Sequence, residues 1–261
     1  MDKRLGLILK ILLGCFLFLV LGFSLLFVYY AKDLPRPEVF TERPFVLPTK
    51  IYDREGKVVL YQIYKEEKRT IVPLDQVPDY LKEAIISAED ANFYSHFGLD
   101  VKAIFRSILK NLKIGRVTYG GSTISQQLVR SSFLTIDKTL KRKTKEIILT
   151  LELERRYSKD QILEFYLNQV PFGSNSYGIE AASQTFFGKP TAQVSLSEAA
   201  LLASLVRAPS YLSPYGSRLE ELLVRKDYVL DRMVQENYIS AEEAAGAKQE
   251  PLEFAQNRHP L

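Results

Sequence analysis

Ala88-Glu89-Asp90-Ala91-Asn92-Phe93-Tyr94-Ser95-His96-Phe97-Gly98 closes an apolar run that has helix spacing, with Leu81, Ala84, Ile85 and Ala88 on one face and Pro78 available as an early-turn residue. The spacing predicts a helix whose C-terminal end carries two adjacent carboxylates. The helix dipole disfavours negative charge there. Two readings stay open at this point: Glu89 and Asp90 face water, or one of them lines a pocket, where its pKa is raised and it can accept a proton. An aromatic pair, one of the two histidines of the chain and a glycine follow at once.

Beyond this stretch the chain reads as mainly helical. Asp100 to Ile114 is amphipathic, with Val101, Ile104, Phe105, Ile108, Leu109 and Leu112 on one face and Lys102, Arg106, Lys110 and Lys113 elsewhere. Such a helix either faces a core with a solvated back or lies in a membrane interface. Gly120-Gly121-Ser122-Thr123-Ile124-Ser125-Gln126-Gln127 combines a glycine pair with hydroxyl residues at a helix start, where free N–H groups suit an anion. Lys138 to Glu146 places five cations in nine residues ahead of one carboxylate. This is a solvated face with Arg142 and Glu146 as an i, i+4 pair, or a phosphate-binding wall. The patterns Thr123/Gln126, Ser158/Gln161, Ser195/Glu198, Ser217/Glu220 and Ser240/Glu243 predict capping boxes, and Gly188 and Pro209 predict stops. The segments 151–154, 158–168 and 198–205 read as scaffold.

Towards the N-terminus, Ile11 to Tyr30 is twenty residues without a charge. As a helix this run is about 30 Å long, the thickness of a bilayer's hydrocarbon core. A cleaved signal peptide competes with this reading, but its apolar core is normally shorter and no small-x-small site closes this run. An uncleaved anchor is expected, with a cytoplasmic tail at residues 1–10, the span at 11–30 and the rest outside the cytoplasm. A linker over 31–75 begins with a proline-spaced connector. It then contains a hairpin of Ile51-Tyr52-Asp53 and Lys57 to Tyr61 about the turn Arg54-Glu55-Gly56, with a third strand at Arg69 to Val72. A mainly helical domain is expected over 76–250, and 251–261 starts a further linker. Charged residues make up 25% and apolar ones 46%, which excludes a disordered chain. Cys15 is the only cysteine, so no internal disulfide and no cysteine metal site can form. With His96 and His259 the only imidazoles, zinc is not expected. No base-stacking module is present, so nucleic acid is not expected as a partner.

Together these stretches resemble the peptidoglycan glycosyltransferase module of monofunctional transglycosylases and class A penicillin-binding proteins. The resemblance runs through five ordered motifs over roughly residues 51–251: Glu89-Asp90-x-x-Phe93-x-x-His96-x-Gly98; Gly120 to Gln127; Arg142-Lys143-x-Lys145-Glu146; Gly178-Ile179-Glu180-Ala181-Ala182 through Phe187-Gly188-Lys189; and Glu198-Ala199-Ala200 through Ala208-Pro209-Ser210. It implies a lysozyme-like, mainly α domain with a membrane-associated smaller lobe, preceded by one transmembrane helix and a short β element. The implied reaction joins lipid II units into β-1,4-linked glycan strands, inverts the donor anomeric carbon and releases undecaprenyl pyrophosphate. By position, Glu89 takes the proton from the acceptor's 4-hydroxyl and Glu146 assists departure of the pyrophosphate, directly or through a divalent cation (Mg or Mn). No other cofactor is required. Arg130, Lys138, Arg142, Lys143 and Lys145 neutralise the leaving group. Ser122, Thr123, Gln126 and Gln127 line the donor site, and Asp90, Phe93 and His96 complete the substrate pocket.

The implied partners are lipid II, the growing glycan, the bilayer and other cell-wall synthesis proteins. The implied location is the inner membrane, with the domain on its periplasmic side. Ser125, Arg130 and Val206-Arg207 depart from the family pattern, as does Asn175-Ser176 where a Gly-Ala is usual. The β segment around Asp53 and Gly56 resembles the bifunctional proteins, and no penicillin-binding serine motif follows, so the chain is expected to be the N-terminal part of a longer one. Two other classes fit the same shape. A glycan hydrolase needs a general acid and no pyrophosphate wall. A non-catalytic anchored scaffold would keep the motifs for packing alone.

Overall fold

The computed structural model describes residues 3–31, 49–52, 59–63, 68–115, 121–133 and 139–255. The turn 54–56, the proline-spaced connector, Gly120, Lys138 and His259 lie outside them. The first helix, α1 (Lys3–Ala31), is 29 residues long, and Leu7, Ile11, Leu12, Leu17 and Phe18 on it are exposed. Counted over the described residues, no helix is long and apolar enough to cross a membrane. Several α1 side chains fall outside that count, so the anchor expected over 11–30 rests on the sequence alone.

Strands β1 (Thr49–Tyr52) and β2 (Val59–Ile63) pair antiparallel, as the expected hairpin does. The expected third strand behaves differently. β3 is only Lys68–Arg69, and it pairs in parallel with β5 (Ser176–Tyr177), which is itself antiparallel to β4 (Pro171–Gly173). The chain therefore enters the domain by β3 rather than extending the hairpin. Asn168 secures this entry: its Oδ1 accepts from the Val72 N–H and its Nδ2 donates to the Val72 carbonyl, both at 2.9 Å.

The body is helical: α2 (Asp79–Glu89), α3 (Val101–Ile114), α4 (Ile124–Phe133), α5 (Leu140–Arg156), α6 (Lys159–Gln169), α7 (Ile179–Phe187), α8 (Leu196–Val206), α9 (Leu219–Gln235) and α10 (Ala241–Gln249). At its centre is α8, buried from Ser197 to Leu205. An alanine- and leucine-rich helix of this kind has no polar face because it is enclosed by its neighbours. Helices α2 and α9 pack on α8 and on each other, while α5 and α6 pack on α4. Four of the five expected capping pairs form, at Thr123, Ser158, Ser195 and Ser240. The Ser217/Glu220 pair does not, because α9 begins one residue later, with Arg218 at its N-cap. Gly188 ends α7 in the left-handed conformation (φ +68°), the stop expected of it.

One helix stands apart. The N-cap of α3 is Asp100, whose Oδ1 accepts from the Ala103 N–H at 2.8 Å. No residue of α3 is buried. Val101, Phe105, Ile108, Leu109 and Leu112 are all exposed. The core-facing reading of this helix is thereby overturned.

Candidate active site

Glu89 is the last residue of α2 and Asp90 its C-cap (φ −159°, ψ 72°), so the two neighbouring carboxylates leave the helix in different directions. Neither faces water freely: the Glu89 side chain is 11% exposed and Asp90 is 7% exposed. Glu89 Oε2 accepts from Gln127 Nε2 at 2.9 Å, and Gln127 Oε1 accepts from the fully buried Tyr166 hydroxyl at 3.1 Å. Arg225 Nη2 lies 3.9 Å from Glu89 Oε1. Burial pushes the Glu89 carboxyl above the usual carboxylate range, and this outweighs the hydrogen bond from Gln127 and the positive charges of Arg225, Arg207 and Arg130. Tyr166 is held protonated by its own burial and by the nearby negative charge of Glu89, so it remains a donor to Gln127. The product is a carboxylate with raised proton affinity and one oxygen clear of close hydrogen bonds, which is what a general base needs.

Asp90 has a different task. His96 Nε2 lies 3.0 Å from both of its oxygens, and the Ile124 N–H donates to Oδ2 at 3.0 Å. Asp90 thus caps the start of α4 and ties it to the end of α2. Phe93 is fully buried beside His96, their rings edge to face at 6.3 Å, and Lys159 Nζ sits 4.5 Å from the Phe93 centroid. Asp90 and Phe93 are thus engaged inside the protein, whereas His96 Nδ1 is buried without a hydrogen-bond partner among the described residues.

Thr123 and Gln126 are paired with each other. The Thr123 N–H donates to Gln126 Oε1 at 3.0 Å, the Gln126 N–H donates to Thr123 Oγ1 at 3.2 Å, and the Thr123 hydroxyl donates to the Gly98 carbonyl at 2.7 Å. The capping box occupies Gln126 Oε1 and the Thr123 hydroxyl, and the Gln126 Nε2 amide is not part of it. Gly98 itself has φ +79°, and a Cβ on it would lie 2.8 Å from Thr150 Cγ2 and 3.0 Å from Glu154 Cγ. Of the expected donor-site residues, Ser122 and Gln127 remain half-buried, as does Arg130.

On the other side of α4 runs α5. Thr139 caps it, accepting from the Arg142 N–H at 3.1 Å, and the cations occupy its first turns. Glu146 is fully buried. The expected Arg142–Glu146 pair is replaced by Lys143, whose Nζ lies 2.5 Å from Glu146 Oε1 at i, i+3. Glu146 Oε2 and Arg142 Nε are buried without a hydrogen-bond partner among the described residues. Unpaired buried polar atoms are costly, and at a site they indicate where a ligand completes the network. Arg142, Lys143 and Lys145 are half-buried. Among the described residues no group of three or more His, Cys, Asp or Glu could hold a metal ion. Any cation at Glu146 would therefore depend on oxygens brought by the substrate.

Sequence reasoning missed four residues here. Arg207 and Arg225 converge on Glu89 from the end of α8 and from α9. Glu154 and Lys159 form an ion pair of 2.8 Å, and Glu154 also accepts from the Ser125 hydroxyl. Arg207 lay beside a recognised motif and was legible as a departure from it, whereas Arg225 carries no local signal.

The chain belongs to the transglycosylase family, whose model matches residues 56–234. It is similar to penicillin-binding protein 1A of Aquifex aeolicus (strain VF5), at 40% identity over 241 residues, 92% of this chain and 33% of that one. It is also similar to penicillin-binding protein 1F of Bacillus subtilis (strain 168), at 40% over 246 residues, 92% of this chain and 33% of that one. Penicillin-binding protein 1A of Escherichia coli (strain K12) is 38% identical over 218 residues, 84% of this chain and 25% of that one. The chain spans about a third of the length of the curated relatives it matches. A crystal structure of penicillin-binding protein 1A from Haemophilus influenzae aligns with 27% identity over 80% of this chain and 21% of that one. Its TM-score of 0.46 is too low to bear on the fold.

Proposed function

We propose that this chain is a peptidoglycan glycosyltransferase that polymerises lipid II into β-1,4-linked glycan. The observation that carries the reading is Glu89, a buried carboxylate of raised proton affinity held by Gln127 at the end of α2. Its free oxygen takes the proton from the 4-hydroxyl of the acceptor sugar as that oxygen attacks the donor's anomeric carbon. The bond from that carbon to the pyrophosphate oxygen breaks, and the leaving group departs with the electron pair as undecaprenyl pyrophosphate. Attack opposite the leaving group inverts the anomeric centre.

Arg142, Lys143 and Lys145 on the first turns of α5, with Arg130 on α4 and Lys138, neutralise the pyrophosphate. Glu146 holds Lys143 in place, and its Oε2, unpartnered among the described residues, would hold a Mg or Mn ion if one takes part, which would supply further positive charge for the leaving pyrophosphate. Ser122 and Gln127 contact the donor, while Asp90, Phe93, His96, Thr123 and Gln126 hold the two helix ends in register. The run 11–30 anchors the chain in the inner membrane with the N-terminus cytoplasmic and the domain periplasmic. The exposed apolar face of α3, flanked by Lys102, Arg106 and Lys113, rests in the bilayer interface and admits a lipid-linked substrate. The cation cluster on α5 favours transfer over hydrolysis, since a hydrolase has no pyrophosphate to neutralise.

Incubation with labelled lipid II, followed by separation of polymer from monomer, tests the reading. Polymer is expected from the native chain and not from Glu89→Gln. Shortening of preformed glycan with lipid II untouched would reverse it.

A further inference from the structure

Arg225 reaches the site from α9, and its position beside Glu89 is unusual for an ion pair. Its Nη2 stops 3.9 Å from Glu89 Oε1, beyond hydrogen-bond reach, with both side chains largely buried at 17% and 11% exposure. Its Nε is buried without a partner among the described residues, and the guanidinium lies 5.6 Å from the Tyr228 ring. Arg207 stands close enough to repel it. A structural salt bridge would have closed to a forked pair and satisfied these donors. Had it done so, both Glu89 oxygens would be occupied, since Gln127 already holds Oε2. The observed gap instead supplies positive charge while leaving Oε1 open to a proton. An arginine can do this in a half-buried place because it keeps its charge where a lysine readily loses it.

The other groups facing Glu89 do not replace this arrangement. Asp90 on the same helix end is paired with His96. Gln127 on α4 and Tyr166 on α6 are neutral donors. Arg130 on α4 and Arg207 beyond α8 add weaker positive charge than Arg225 does.

We propose that Arg225 is a positioning residue that acts through Glu89, its charge keeping the buried carboxylate ionised, and so able to accept a proton, near neutral pH. This rests on Glu89 being the base. The test is the pH profile of kcat/KM for polymerisation of labelled lipid II by the full chain in detergent, comparing native protein, Arg225→Gln, Arg225→Lys and Glu89→Gln. For Arg225→Gln the acid limb is expected to move up by about one pH unit, roughly a tenfold loss below the limb, with the alkaline plateau recovering to within about twofold. Arg225→Lys is expected to shift the limb the same way but less. Equal loss at every pH with an unmoved limb would overturn the proposal, because a packing or substrate-contact role acts in that way. Should Arg225→Gln melt below the assay temperature, Arg225→Lys decides: a reduced plateau on an unmoved limb overturns the proposal. Native turnover and an intact acid limb in Glu89→Gln would instead remove the base itself, an outcome distinct from failure of the arginine.

Discussion

At the scale of single residues, Glu89 and Asp90 show how adjacent carboxylates are separated by what surrounds them. Asp90 gains a histidine and a helix-capping N–H, whereas Glu89 gains one amide and a distant guanidinium. Because burial raises the folded pKa of Glu89 above its ordinary value, the sign of its effect on stability follows by linkage. Its contribution is fully present below the usual glutamate pKa and is lost as pH rises through the folded value. Glu89→Gln should therefore melt higher than native protein at pH 7–8, by roughly 2–4 °C. The gain should vanish near pH 4, where the carboxyl is protonated in both states; thermal melts at the two pH values check it. Gly98→Ala should lower stability, because it combines a φ of +79° with a 2.8 Å clash against Thr150 on α5. A loss of about 1–3 kcal/mol in denaturant titration is expected. The sequence placed Glu89 and Asp90 at a helix end but could not rank them, since the ranking depends on which neighbours each side chain meets after the C-cap.

Among the secondary-structure elements, helix starts were legible wherever a hydroxyl and a Glu or Gln stood three apart, because that chemistry is local. The same locality joins Thr123 and Gln126: the closed box takes up Gln126 Oε1 and the Thr123 hydroxyl and leaves the Gln126 Nε2 amide outside it. β3 was mispaired for the opposite reason, its partner β5 being a hundred residues away and parallel. For α3 the amphipathic pattern was plain but its partner was not. Two predictions follow from its exposed face and its cap. Replacing Phe105 and Leu109 together by Ser should weaken binding of the chain without residues 1–31 to anionic vesicles severalfold in a flotation assay, without lowering the melting temperature of the core. Asp100→Ala removes the cap and should cost about 1 kcal/mol. Hydrogen exchange should show that loss in the α3 amides first, with α2 and α8 unaffected.

Taken whole, the molecule is an enclosed α8 flanked by α2 and α9, with α4 set between the carboxylate end of α2 and the cationic start of α5. The ordered motifs made the class of fold readable, because each is a helix end or a helix start. Arg225 was not readable and Arg207 was readable only as a departure from a motif, since only tertiary packing brings α8 and α9 to Glu89. The most direct test of that base is polymer formation from labelled lipid II by native protein and by Glu89→Gln, with folding of both verified by thermal melts. Abolished polymer in a mutant that melts no lower than native protein is the predicted result. Undiminished polymer from that mutant would contradict it and leave the buried carboxylate without a catalytic role.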